Sequence, residues 1–491
     1  MRPFLKREIE LDWLFILGLR MTWSIGLNLG DSFAEVAATQ DGHTVSQRWY
    51  LPQCPLPQQL ASFLTQNKID EVVSFRVATK LAGQILNRRL GTPPAFLTTA
   101  GFESWLDMTL PVQPSYFSIS AKRVRSPLNQ DLVFGLSERL SPKGEVVKPL
   151  DAAEVEFIAS KLKMSEVKHV AVGLLHSNKN PDHEKQVAEI LRNEGFIVHT
   201  SFDSLVDRDE KARWWAAILD AYVAPAFYDY FSNLRESLST QMPQLPDFIV
   251  HRGYDDTTLT ADTEVLSTLM GQTSCLAKHF QMSSKRKGST LLYCGLEDFI
   301  LVDNSGEMSS VWTNALGPIA LKGPLHKRMG VQPTQVIGKS FWGSANYKSE
   351  ESGYEPGPMC FGRGLNPTLI DILNAQSRLP DVEGFTRHIK DGMRGRLIET
   401  LFTLSRQANE IESFDQTDMP EWFETCAANK LFFELNSLGV EDLTVSGPLA
   451  PTVFALLKSR LPKVRQAKSG HLAIAECLSH SVDTPRPGDS L

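Results

Sequence analysis

Trp23-Ser24-Ile25-Gly26-Leu27-Asn28-Leu29-Gly30-Asp31-Ser32-Phe33-Ala34-Glu35-Val36-Ala37-Ala38 is the stretch that decides the architecture. Trp23, Ile25, Leu27 and Leu29 alternate with small or polar residues, the period of a half-buried strand. Gly30-Asp31-Ser32 forms a tight turn, and a second strand follows from Phe33 to Ala38. Asp41-Gly42 is a hairpin signal into a third strand, Val45 to Tyr50. The same grammar returns far downstream. Leu291 to Tyr293 reads as a strand, Gly295 to Asp298 as a turn and Ile300 to Asp303 as a strand. Asn304-Ser305-Gly306 then turns into a third strand, Met308 to Trp312. The chain thus contains two three-stranded meanders.

Between them lie alternating α and β elements. Val170 to Leu175 reads as a strand, and Asn180-Pro181 supplies the cap and first-turn proline of a helix that Gly195 closes. A longer helix covers about 209–238, with Trp214, Trp215, Ile218, Leu219 and Tyr222 on helical spacing and Pro225 inside. Trp214 and Trp215 read as core or subunit-interface residues. Phe385, Ile389, Met393, Leu397 and Leu401 recur every four positions and predict a further amphipathic helix. The expected division is an extension over 1–20, with Met21 as an alternative start, a first lobe over 21–205, a connecting hinge helix over 206–240 and a second lobe over 241–491.

With 491 residues, 42% hydrophobic and 22% charged, the chain is long enough for two or three well-filled cores. Fifty basic against fifty-seven acidic residues give a net charge of −7, which offers no electrostatic footprint for nucleic acid or an anionic membrane. The apolar patch Trp13-Leu14-Phe15-Ile16-Leu17 is too short to span a bilayer. Six cysteines (Cys54, Cys275, Cys294, Cys360, Cys426 and Cys477) without a Cys-x-x-Cys pair fit neither a zinc site nor a disulfide framework, so a cytoplasmic location is expected.

Two α/β halves that each open with a strand-turn-strand-turn-strand unit resemble the actin/sugar kinase/Hsp70 (ribonuclease H-like) fold. A narrower resemblance rests on motifs. Pro356-Gly357-Pro358-Met359-Cys360-Phe361-Gly362-Arg363-Gly364, followed by Pro367-Thr368-Leu369-Ile370-Asp371, is similar to a signature of the hydantoinase A / 5-oxoprolinase / acetone carboxylase β-subunit family. Ile25 to Phe33, Val77-Ala78-Thr79, Leu97 to Phe102, Leu174 to Glu184 and Asp220-Ala221-Tyr222-Val223 resemble further segments of that family. The resemblance runs from about residue 23 to the end. It implies an ATP-binding cleft with Mg2+, and ring opening of a cyclic amide (hydantoin, oxoproline, lactam) or carboxylation of a ketone. It also implies a hydantoinase B-like partner subunit, with a homo-oligomer as the alternative.

The phosphate loops depart from the family pattern. A loop that cradles phosphate needs glycines, so that backbone N–H groups approach the anion. Where the family has its metal-holding aspartate this chain has Asn28; Gly30 remains, the next glycine is Asp31, and Ser32 and Glu35 replace a threonine and an aspartate. The second loop maps onto Tyr293 to Phe299, keeping Gly295 but bringing in Glu297 and Asp298. The adenosine loop is reduced to Ser446-Gly447-Pro448-Leu449. Two unit negative charges about 4 Å apart repel by about 4 kcal/mol at an effective dielectric of about 20, so these acids oppose a triphosphate wherever they face it.

Each candidate also has a plainer reading. Asn28, Gly30 and Ser32 make either a residual phosphate loop or an ordinary hairpin turn. Glu297 and Asp298 make either a cation site or, as preferred, a solvated turn. His176, His183 and Glu184 read as loop and helix-start chemistry rather than metal ligands. Cys294 and Cys360 read as buried structural thiols. Arg363 and Asp371 are the candidates for a catalytic role, or else they pin a tight crossover by charge-assisted hydrogen bonds. The functional expectation is a divergent, non-catalytic or regulatory subunit with impaired ATP binding. The alternatives are an active ATP-dependent hydrolase or carboxylase subunit, and a small-molecule binding protein using the old cleft.

Overall fold

The computed structural model describes residues 22–110, 112–113, 122–202, 209–240, 242–283, 289–303, 310–314, 317–334, 359, 367–383, 391–407, 419–467 and 473–480. Its first sheet begins with the predicted meander, Trp23–Leu29, Phe33–Gln40 and His43–Tyr50, all antiparallel. Val72–Thr79 then pairs parallel to Trp23–Leu29, and Phe248–His251 parallel to Val72–Thr79, with Asp256–Thr258 at the edge. In order of formation the five main strands lie 3-2-1-4-5. The first sheet therefore takes two of its strands from beyond residue 240.

The second sheet repeats this order: His326–Arg328, Phe299–Asp303, Thr290–Cys294, Leu443–Ser446 and Val464–Gln466. The first three are antiparallel and the last two parallel. Two sheets of this topology make the chain a two-lobed α/β protein of the actin-like, ribonuclease H-like fold. The third seat differs from the sequence expectation, because Ser310–Asn314 pairs with Gly317–Leu321 in a hairpin of its own. That hairpin satisfies its ladder locally, and His326–Arg328 takes the place beside Phe299–Asp303.

A four-stranded parallel sheet, Ile197–Thr200, His169–Gly173, Ala95–Thr99 and Val133–Leu136, belongs to the N-terminal half. The long helix Glu210–Ser239 starts where the Asp209 carboxylate accepts from the Lys211 amide at 3.0 Å, and it contains Pro225. Its first half packs Trp214, Trp215 and Ile218 against the four-stranded sheet, and its second half packs Phe227, Phe231 and Leu238 against the first sheet. It ties two sheets of the N-terminal half together. The crossing to the second sheet is made by helix Gly271–Ser283, and the return by helix Ala473–Ser479.

That return helix lies directly on the opening strand. A Cβ on Gly26 would meet the Ala475 carbonyl oxygen at 2.1 Å, so only glycine admits the approach. Thr39 and Ser479 share a hydroxyl hydrogen bond of 2.8 Å beside it. Cys275, Leu276, Phe280, Ile474 and Leu478 join Ala78 from the first sheet and Leu291, Tyr293 and Val302 from the second in one interlobe core. Among the described residues no helix is long and apolar enough to cross a membrane.

Candidate functional site

The turn between the first two strands closes with the Gly30 amide donating to the Phe33 carbonyl at 2.9 Å. This leaves the next three amides converging on one point, which the carboxylate of Glu297 fills. Asp31, Ser32 and Phe33 donate to its oxygens at 3.0, 2.6 and 3.2 Å. Consecutive amides aimed at one anion form a nest of the kind that binds phosphate. Gly30 is needed for this approach, because a Cβ there would lie 2.5 Å from Glu297 Oε2.

Glu297 belongs to the corresponding turn of the second lobe, where the Gly295 amide donates to the Asp298 carbonyl at 2.9 Å. Lys80, at the head of helix Leu81–Arg88, reaches across to Glu297 Oε2 at 2.9 Å and also pairs with Asp298. Arg328 holds the other oxygen of Asp298 at 3.1 Å. Burial raises the Asp298 carboxyl, but Lys80 and Arg328 outweigh it and hold it below the usual range. Burial likewise works against the Lys80 ammonium, and Asp298, Glu297 and Asp31 overcome it, so its pKa is raised. Asp31 goes the other way: burial and then Glu297 push its carboxyl up to about 7, with Lys80 only partly opposing them.

One layer further in, Asn28 is locked by its neighbours. Its Nδ2 donates to Glu35 at 3.0 Å, its Oδ1 accepts from Gln272 at 2.6 Å, and Arg48 holds the other Glu35 oxygen at 2.8 Å. Asn28, Glu35 and Arg48 are all buried. Across the cleft the Tyr293 ring lies against two glycines: a Cβ on Gly295 would sit 2.7 Å from one ring edge and a Cβ on Gly447 2.8 Å from the other. Gly447 adopts φ +97° and starts the turn into helix Ala450–Leu457.

Of the sequence candidates, Asn28, Gly30, Asp31, Ser32, Glu297 and Asp298 meet around this contact, and Gly295 and Gly447 frame it through Tyr293. The solvated turn expected at Glu297 and Asp298 is corrected. Both side chains are largely buried, because amides and Lys80 from the other lobe, together with Arg328 of their own, replace their water. Asp371 is buried at the third position of helix Leu369–Ala375, where it completes a capping box with Thr368 and accepts from the Met359 amide at 3.1 Å. Arg363 and Cys360 lie outside the described residues. Cys294 is fully buried, and burial pushes its thiol pKa up.

Lys80, Gln272, Arg328 and Gln84, whose side-chain amide donates to the Gly30 carbonyl at 3.1 Å, were not singled out from sequence. Lys80 directly follows the Val77-Ala78-Thr79 match, so a cation facing two new acids was the available signal. In the Leu174 to Glu184 segment, His183 pairs with Glu138 at 2.7 Å and His176 with Glu210 at 3.1 Å. Glu184 turns inward instead of serving its helix end. It accepts from the amides of Leu174 at 3.2 Å and Phe202 at 3.0 Å, and from both the amide and the hydroxyl of Ser201. Among the described residues no group of three His, Cys, Asp or Glu side chains is placed to hold a metal ion.

Residues 57–195 match the family described as the hydantoinase/oxoprolinase N-terminal region. The acetophenone carboxylase gamma subunit of Aromatoleum aromaticum is 29% identical over 232 residues, 41% of this chain and 31% of that one. The 5-oxoprolinase of Saccharomyces cerevisiae is 32% identical over 200 residues, 35% of this chain and 15% of that one. The match thus spans less than a third of either relative's length. A nucleotide-free structure of acetone carboxylase, an enzyme of ATP-dependent acetone carboxylation, superposes with a TM-score of 0.65 at 16% identity, covering 93% of this chain and 70% of that one. Residues 57–195 thus carry a hydantoinase/oxoprolinase N-terminal region, and the chain shares its fold with acetone carboxylase.

Proposed function

We propose that this chain is a non-catalytic or regulatory subunit of the hydantoinase/oxoprolinase kind, whose nucleotide cleft is closed by its own side chains. The observation that carries this reading is the Glu297 carboxylate seated on the amides of Asp31, Ser32 and Phe33. ATP and Mg2+ do not fit the residues as they stand. The amides that would meet a phosphate are bonded to Glu297, Asp31 adds a second carboxyl beside them, and both polar atoms of Asn28 are already engaged. No chemical step is therefore routed through nucleotide. In this role the chain keeps the fold and acts through what it binds, a hydantoinase B-like subunit or a second copy of itself.

A second reading has one observation in its favour. The nest itself is intact, since its three amides still converge on an anion with Lys80 alongside. If the 295–298 turn withdraws, an active ATP-dependent subunit acting on a cyclic amide or ketone with its partner becomes the better description.

Calorimetry with Mg-ATP separates the two, using the native chain, Glu297→Ala and Asp31→Gly. The proposal expects no binding by the native chain. Micromolar binding by it, or nucleotide turnover once a hydantoinase B-like partner is added, overturns the proposal. Binding gained only in the variants identifies the two carboxyls as what silences the cleft.

A further inference from the structure

The contact between the lobes crowds three acids together. Three acids, Asp31, Glu297 and Asp298, gather around Lys80 and Arg328. Lys80 reaches Glu297 and Asp298, and Arg328 reaches Asp298. Asp31 feels Lys80 only through space and Arg88 more weakly, while Glu297 and Asp298 both oppose its ionisation. Its own amide is one of the three that hold Glu297, so the two residues stay side by side while the contact is closed. Glu35 and Arg48, on the next strands inward, neutralise each other at 2.8 Å and add no net charge.

Three carboxyls crowded on two directly paired cations close most readily when one acid holds a proton. Glu297 accepts from three amides and pairs with Lys80, and Asp298 pairs with two cations. Asp31 is the acid left to carry the proton. We propose that this contact is a proton-dependent latch: a proton on Asp31 lets the Glu297 carboxylate stay seated on the opposite lobe, and its loss frees the lobes to part. The inference rests on the closed-cleft reading above and adds the means by which that closure is regulated.

The direction follows from linkage. An acid whose pKa is raised in the closed form, here from 3.8 to about 7, favours closure below 3.8 and loses that contribution as pH rises to about 7. Above that point the effect is level. Opening is read as hydrogen exchange of the peptide spanning 30–36, divided by the rate of Asp31→Asn at the same pH. The ratio is expected to rise by up to about tenfold per pH unit between about pH 5 and about pH 7, then to flatten. Glu184 and Glu264 titrate at about 7 and about 6, and are common to both proteins, so their effects divide out.

A ratio that stays constant across this range overturns the latch. Should Asp31→Asn fail to fold, Glu297→Gln serves instead, because it removes the charge that Asp31 opposes and should move the native rise toward lower pH. An unmoved rise in that variant also overturns the latch. Neither result depends on nucleotide. A native chain that binds Mg-ATP defeats the closed-cleft reading by calorimetry, whereas a constant exchange ratio defeats the latch alone.

Discussion

Glu297 Oε1 lies 2.6 Å from the amide nitrogen of Ser32, although 265 residues separate them in the chain. One side chain of the second lobe thereby completes the turn of the first. Its removal should leave three amide donors without their acceptor and Lys80 with one partner fewer. Glu297→Ala is expected to lower stability by about 2 kcal/mol, the usual scale for orphaned buried donors, measured by urea unfolding. A loss within error would mean that the contact contributes nothing in solution.

Gly26 and Gly30 should respond differently to alanine, because the atoms in the way differ. At Gly30 the obstacle is the end of the Glu297 side chain, which can swing aside, so Gly30→Ala should mimic the loss of Glu297. At Gly26 it is the Ala475 backbone oxygen at 2.1 Å, and the whole return helix must move. Gly26→Ala is expected to cost about 3 kcal/mol and to expose the 473–480 segment to proteolysis. Gly395, in helix Asp391–Gln407 with nothing within 4 Å, should instead gain up to about 1 kcal/mol as alanine. Equal effects at all three positions would contradict the close approaches.

Glu184 supplies a pH test away from the cleft. Burial raises its carboxyl from 4.5 to about 7, against the pull of four hydrogen bonds that favour the charged form. A raised acid contributes stability that is fully present below 4.5 and lost as pH rises through about 7. Glu184→Gln should flatten the stability profile between about pH 5 and about pH 8 relative to the native chain. A steeper profile in the variant would reverse the sign of this argument.

Asp371 can be tested as a scaffold residue against Thr368. Each completes the other's half of one capping box, with Asp371 Oδ2 accepting from the Thr368 amide at 2.8 Å and from its hydroxyl at 2.9 Å. Thr368→Val and Asp371→Ala should each cost about 1 kcal/mol or more, and the double variant less than the sum. Additive losses would point to a separate task for Asp371.

The first meander was legible because its signals are local. Trp23 to Leu29 alternate, and Asp41-Gly42 marks the hairpin, so neither needs knowledge of a distant partner. In the second lobe the same reasoning reached Thr290–Cys294 and Phe299–Asp303 and then failed at the third strand. His326-Lys327-Arg328 is short, charged and without alternation, and its place is set by pairing with residues 300–302. The site follows the same division. Its loops could be found by resemblance, and the charges that enter them could be counted. That Glu297 is held by amides across the cleft, and that Glu184 faces inward, depends on long-range packing that no local pattern records.

The return of helix Ala473–Ser479 onto the opening strand also fixes an order of events during synthesis. The face of Gly26 is among the first parts of the described chain to leave the ribosome, and its cover is among the last. Until residues 473–479 emerge, the Gly26 face of the N-terminal sheet lacks this cover and is open to aggregation and to chaperones. The two lobes are thus born separately but finished together, by the same seven residues.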